Sequence, residues 1–122
     1  MTGRSCSKRD AENLLAIVRF CGDIEYLLER QGSDEEDFTD DIYLQYSCVF
    51  CLIQIGEHVK RLSDELKKAN SEIDWRNVGR MRDIIAHNYS RIDVAIVRST
   101  ALDKVPDLKR VCLNILDGVN SQ

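Results

Sequence analysis

Apolar residues recur every three or four positions through most of this 122-residue chain, the spacing of one face of an α-helix. Leu14, Val18, Cys21, Ile24 and Leu28 form the first such stripe and predict a helix from about Lys8 to Gln31, with Gly32 as its stop. Ser33 to Thr39 breaks the pattern with acidic residues and reads as a loop. A second stripe, Ile42, Tyr46, Val49, Ile53, Gly56, Val59, Leu62 and Leu66, predicts one long helix from about Asp41 to Ala69. Between Cys48 and Ile55 this helix is apolar almost all round. Such a segment needs partners on two sides, so it is expected either to face its own bundle and a second subunit or to lie fully buried at the centre of one bundle.

The rest of the chain is punctuated by caps. Asp74 is the expected N-cap of a third helix, Trp75 to about His87, and Asp93 caps a short helix from Val94 to about Asp103. Pro106 suits the first turn of a last helix, which Gly118 ends. There is no internal repeat and no low-complexity tract. These elements predict an all-α fold, an antiparallel four-helix bundle with an additional short helix.

Composition narrows this further. With 43% hydrophobic residues, 1 Pro and 6 Gly, the chain has too few turn-formers for many short strands, and its length fits a single domain, residues 1–122, around one core. No apolar run is long enough to span a bilayer. Arg4, Lys8 and Arg9 precede an amphipathic segment instead of a secretory leader, so a cytoplasmic protein is expected. The 5 cysteines, Cys6, Cys21, Cys48, Cys51 and Cys112, are odd in number and scattered, which is not a disulfide framework. Cys48 and Cys51 lie in an apolar helical run with no second pair, and His58 is on the order of 10 Å further along the axis, too far to share a tetrahedral metal. They read as core residues, and neither a metal nor a cofactor is expected.

The formal charge of −4 argues against a general nucleic-acid footprint, but charge is unevenly placed. Six acids fall between Asp34 and Asp41, whereas Arg76, Arg80, Arg82 and Arg91 surround the segment Met81 to Asp93. That local excess is either a polyanion-attracting patch or an ordinary solvated helix face. Within it Arg82, His87 and Tyr89 make the pattern R-x4-H-x-Y, combining a permanent cation, a group that exchanges protons near neutral pH, and a phenol. Those are parts for handling a phosphodiester.

At about 100° per residue, Val78, Met81 and Ile85 share one face of the third helix, and Arg76, Arg80, Asp83 and His87 share the opposite one. Asp83 and His87 are four apart, so the carboxylate is expected to reach and orient the imidazole. Arg82 and His87 project roughly 140° apart. A site using both is therefore expected to be composite, built from two copies of this helix around a two-fold axis. Other readings stay open: Arg82 in an ion pair with Asp83 or an acid of another helix, His87 as a C-terminal dipole cap, and Tyr89 with its ring buried at the helix end. Glu57 and Trp75 read as structural, the Trp covering the bundle end.

Arg82-x4-His87-Asn88-Tyr89, with a polar residue directly after the Arg, resembles the signature of the HEPN superfamily, and specifically of HepT-like toxins. The likeness extends to the apolar helix within Phe38 to Leu62 with its Gly56-Glu57, to Ile73-Asp74-Trp75-Arg76 and Met81-Arg82, to Ile92-Asp93, and to Val105-Pro106-Asp107-Leu108. Roughly 75–80 residues are covered, far more specific than R-x4-H alone. The resemblance implies a metal-independent endoribonuclease toxin of a type VII-like toxin–antitoxin system, acting on RNA as a homodimer and paired with an MNT-type nucleotidyltransferase antitoxin. Arg82 and His87 would be catalytic, Asp83 would fill the polar position after the Arg, and Tyr89 would accept AMP from the partner. Two positions depart from the pattern: Asp83 stands where many relatives have Asn, and His58 follows Gly56-Glu57 where a small residue is commoner. The anion at Asp83 should weaken attraction for RNA.

The implied chemistry is ribose 2′-hydroxyl attack on the adjacent phosphorus, with His87 taking the proton and Arg82 stabilising the phosphoryl oxygens. It leaves a 2′,3′-cyclic phosphate and a 5′-hydroxyl and spares DNA. Two other classes compete with it. One is a non-catalytic nucleotide- or substrate-binding helical partner of a minimal nucleotidyltransferase; the other is a dimeric adaptor.

Overall fold

The computed structural model describes residues 6–32, 34–87 and 93–120. All regular structure among these residues is helical: α1 Lys8–Gln31, α2 Glu35–Asp40, α3 Ile42–Lys60, α4 Asp64–Ala69, α5 Trp75–His87, α6 Val94–Ser99 and α7 Val105–Asn120, with a π-helical turn Thr100–Lys104 between the last two. The four long helices, α1, α3, α5 and α7, correspond to the four main helices that apolar spacing and capping residues predict. No helix among the described residues is long and apolar enough to cross a membrane.

α1 starts and stops where its sequence says it should. The Ser7 hydroxyl accepts from the Asp10 amide, and Gly32, at φ 100°, donates its N–H to the Leu28 carbonyl, a backbone conformation that glycine adopts without strain. Its apolar face, Leu14, Ile17, Cys21 and Ile24, is fully buried. α1 packs on one side against α3 and on the other against α7, where Lys109 pairs with Glu25 at 2.7 Å. α5 lies on the far flank of α3. The central position of α3 explains its apolar content.

Four boundaries differ from the sequence expectation. The predicted long second helix ends at Lys60, and α4 starts anew after Ser63. The break is held from another helix: the buried Asp10 carboxylate accepts from the Ser63 amide at 2.9 Å and from its hydroxyl at 2.6 Å, while Ser63 Oγ accepts from the Leu66 amide. A side chain 53 residues away thus decides where the chain turns, and local periodicity carries no trace of it. The acidic loop contains the short helix α2, because Phe38 is fully buried and docks it on the core. The short helix predicted to end near Asp103 has no true end. It passes through the π turn directly into α7, with Thr100 and Val105 both in helical conformation, and α7 continues past Gly118 to Asn120.

The buried stripe of α3 is also rotated from the predicted one. Leu44, Cys48, Cys51, Leu52, Ile55 and Val59 line the core, whereas Ile42, Tyr43, Tyr46 and Phe50 are exposed at 49%, 78%, 57% and 57%. All five cysteines are free thiols. Burial pushes the Cys48 and Cys112 thiols up to about 12 and Cys51 up to about 11, so these side chains behave as small hydrophobes.

Candidate active site

α5 is amphipathic in an unusual way, because its most tightly packed seam contains a charge. Asp74 caps its start by accepting from the Asn77 amide at 3.1 Å. Trp75 is buried with its indole N–H donated to the Asn70 carbonyl at 2.9 Å, which fixes the entry of the helix against α4. Gly79 and Arg82 follow on the same seam, facing α3. Gly56 of α3 lies directly beneath Arg82: a Cβ there would sit 2.1 Å from the Arg82 Cβ. Only glycine allows the two backbones this close. One turn away the relation is reversed, and the Lys60 stem of α3 passes over Gly79, where a Cβ would lie 3.4 Å from its Cγ. The two helices run antiparallel through these paired contacts.

Their consequence is a compact charge cluster. Arg82 Nε lies 2.8 Å from Glu57 Oε1, and Arg82 Nη1 donates to Asp83 Oδ1 at 3.2 Å. The Nε–H points off the Glu57 oxygen, so that contact is an ion pair without an aligned hydrogen bond, and Nε is a buried donor with no hydrogen-bond acceptor among the described residues. Proximity still gives the pair its Coulomb attraction. Asp83 Oδ1 also accepts from Lys60 Nζ. The Lys60 hydrogen bond, with help from Arg82, holds the Asp83 carboxyl below the usual carboxylate range.

His87 ends α5 and is exposed. Its Nδ1 lies 3.0 Å from the Asp83 main-chain carbonyl, which can only accept, so Nδ1 carries the proton and Nε2 is the nitrogen available to a substrate. This corrects the expectation that the Asp83 carboxylate orients the imidazole. The carboxylate is taken by Lys60 and Arg82, and the carbonyl of the same residue holds the ring. Among the described residues no hydrogen bond joins Arg82 to His87; Asp83 contacts both. Arg76 and Arg80 are exposed on the same polar side. Tyr89, together with Asn88 and Arg91, lies outside the described residues.

The opposite face of α5 also departs from expectation. Ile85 is buried, but Val78 and Met81 are only half-buried and Ile84 is 60% exposed. They line a hollow of about 450 Å³ between α5 and the α6–π–α7 segment, floored by Leu52 and Ile55. The main packing partner of α5 is therefore α3.

His58, the second departure from the family pattern, sits on the α1 side of α3. Its Nδ1 donates to Asn13 Oδ1 at 2.8 Å and its ring stacks on Phe20. Burial, then the Arg61 charge, lowers its pKa from 6.5. It belongs to the α1–α3 contact, away from Arg82. Sequence reasoning missed Lys60 and the role of Glu57. The available signal was paired spacing: Gly56 and Lys60 are four apart on one helix, Gly79 and Asp83 four apart on the next, which is how two helices exchange a small residue and a charge.

The chain is similar to known proteins. The family profile described as "Ribonuclease HepT-like" matches residues 12–115. "Putative RNase TTE0752" of Caldanaerobacter subterraneus subsp. tengcongensis is 36% identical over 93 residues, covering 75% of this chain and 83% of that protein. "Probable ribonuclease HepT" of Thermococcus cleftensis is 36% identical over 74 residues, 61% of this chain and 67% of its own. "Putative RNase MJ1216" of Methanocaldococcus jannaschii is 26% identical over 106 residues, covering 87% and 80%. No solved structure matches the chain.

Proposed function

The chain belongs to the ribonuclease HepT-like family, and from that premise we propose that it is a metal-independent endoribonuclease, the toxin of a pair whose antitoxin is an MNT-type nucleotidyltransferase. The observation that carries this reading is the arrangement around Asp83: a half-buried arginine anchored on one side, and an exposed imidazole whose Nδ1 is tied to a carbonyl. Nε2 of His87 then takes the proton from a ribose 2′-hydroxyl. The freed oxygen forms a bond to the adjacent phosphorus, the bond to the 5′-oxygen breaks, and that oxygen leaves as a hydroxyl with a proton taken from solvent, to which His87 in turn returns its own. Arg82 neutralises charge gathering on the non-bridging oxygens. The nucleophile belongs to the substrate, so RNA is cut and DNA is not.

Arg82 and His87 of one chain are not joined, and a second copy would complete the site. The surface for it is the exposed apolar stripe of α3. Tyr46, Phe50, Ile53 and Glu57 follow one another at spacings of four, three and four, so the stripe runs along the helix into the residue that pairs with Arg82. Large exposed apolar patches of this kind mark interfaces. A two-fold axis there would set two copies of α5 around one groove.

Silencing would act at Tyr89. Its phenol oxygen attacks the α-phosphorus of ATP, pyrophosphate leaves, and the phenol proton passes to solvent. The attached AMP adds bulk and about one negative charge two residues beyond His87 in the sequence, which disfavours RNA. Intact mass after co-expression with the partner should rise by whole adenylates, and Tyr89→Phe should abolish the increments and stay toxic.

The ribonuclease itself is tested by incubating the purified protein with RNA in excess chelator. Cleavage should persist and leave 2′,3′-cyclic phosphate ends. His87→Ala should lose at least about 100-fold in rate, the usual range for a general base. Arg82→Met, which keeps the stem packed on Gly56, should also lose activity. Cutting at the parental rate by both variants rejects this assignment.

A further inference from the structure

Arg82 stands between two acids, and both are placed to hold it away from a phosphate. Glu57 approaches from beneath and Asp83 is its immediate neighbour on α5. A guanidinium binds carboxylates and phosphates through the same edges, and its most stable pairing is bidentate. An unrestrained Asp83 would close on Arg82 in that way. It does not: one oxygen touches Nη1, at 3.2 Å, and that same oxygen is held by Lys60.

Lys60 is placed for this by the fold. It is the last residue of α3, where a cation suits the helix dipole. Its stem crosses to α5 over Gly79, where even a Cβ would make only ordinary contact with it, 3.4 Å from Cγ and 3.5 Å from Cε. The Lys60 and Asp83 side chains are 41% and 45% exposed, so an isolated pair here would contribute little to stability. Its position beside Arg82 is what distinguishes it.

We propose that Lys60 is a positioning residue of this site: by holding the Asp83 carboxylate it prevents that group from closing on Arg82 and leaves a guanidinium edge open to an RNA phosphate. This rests on the ribonuclease reading above. With Lys60 present, Glu57, Lys60, Arg82 and Asp83 sum to zero charge. Without it the cluster carries one net negative charge, and its free carboxylate competes with the incoming phosphate for Arg82. Lys60 therefore supports substrate binding, and His87 is untouched by it.

The test uses the full-length protein and two readouts: anisotropy of a labelled, fully 2′-O-methylated RNA oligonucleotide, which binds without being cut, and cleavage of unmodified RNA. Lys60→Met should weaken binding about fivefold, the upper range for one part-exposed ion pair, and raise KM with kcat little changed. Lys60→Arg should stay within about twofold of the parent, since it keeps a cation at Asp83. Adding Asp83→Asn to Lys60→Met should restore binding, because the competitor is gone. Adding Glu57→Gln restores the same charge without freeing Nη1 and should not. Circular dichroism and melting of each variant separate misfolding from weakened binding.

Parental binding by a folded Lys60→Met overturns the proposal, as does equal rescue by Asp83→Asn and Glu57→Gln, which would reduce Lys60 to net charge. A parent that cuts RNA and depends on Arg82 but ignores Lys60 sinks this inference alone. A parent that neither binds nor cuts RNA sinks the ribonuclease reading as well.

Discussion

The two flanks of α3 are packed by different rules. Toward α1 the contact is a closed apolar core in which Leu14, Ile17, Cys21 and Ile24 meet Cys48, Leu52 and Ile55, almost all of them without solvent exposure. Toward α5 the helices meet closely at Gly56, where a Cβ would collide with Arg82, yet the groups gathered there are Arg82, Glu57, Lys60 and Asp83. Behind α5 a hollow remains where a globular core would be filled. The α1 flank holds the fold, and the α5 flank holds charges close together at some loss of packing. Placing reactive groups on a helix backed by a rigid core is how precise sites are built.

The sharpest way to break this comparison is to remove equivalent apolar bulk from each flank. Ile17→Ala should cost about 2–5 kcal/mol of unfolding free energy, the range for a fully buried aliphatic residue. Met81→Ala, on the half-open hollow, should cost about 1 kcal/mol, since much of the side chain is already in water. Denaturant unfolding of both variants would show it. Equal losses would mean that α5 belongs to the same core as α1.

Glycine substitutions give a smaller contrast of opposite sign. Gly56→Ala places a methyl 2.1 Å from the Arg82 Cβ, so the helices must part. It should destabilise by about 1–3 kcal/mol and abolish RNA cleavage by displacing the guanidinium. Gly22→Ala in α1 meets nothing within 4 Å and should stabilise by about 0.5–1 kcal/mol through helix propensity, with cleavage unchanged. Thermal melting and an RNA assay on each check both halves.

The smallest effect is a pH dependence near neutrality on the α1 flank. His58 has a folded pKa below its ordinary 6.5. The unfolded chain therefore binds more protons in that window, and the stabilisation present above about pH 6.5 is lost as pH falls through the folded value. Melting temperature should decline from about pH 7 to pH 5, and His58→Gln should flatten the curve. Asp83 works in a separate window: its pKa lies below the ordinary 3.8, so its contribution is present above about pH 4 and lost in stronger acid. An unchanged slope in His58→Gln would place the titrating group elsewhere.

Much of the architecture was legible before any coordinates. The spacing of Leu14, Cys21, Ile24 and Leu28, the Gly32 stop, and the Asp74 and Asp93 caps all correspond to what the chain does, because caps and amphipathic stripes are local. The second helix was misread at two points. Its end depends on Asp10 from α1 reaching Ser63, and its buried face turns on which flank α5 occupies. The exposed Tyr43, Tyr46 and Phe50 could not be told from core residues, since aromatic side chains look the same in a stripe whether or not a neighbour covers them.

The site divides in the same way. Residue identity alone determined that a cation, an imidazole and a carboxylate would lie on one short helix, and that Arg82 and His87 would point apart, because the turn of an α-helix is set by its backbone. Only tertiary structure decided which group each would meet. Arg82 finds Glu57 because Gly56 lets α3 and α5 approach, Asp83 turns to Lys60 across that seam, and His87 is left with the carbonyl beneath it. Side-chain partners four residues apart compete with partners on a neighbouring helix, and the competition is settled by the distance between helix axes, which no local pattern encodes.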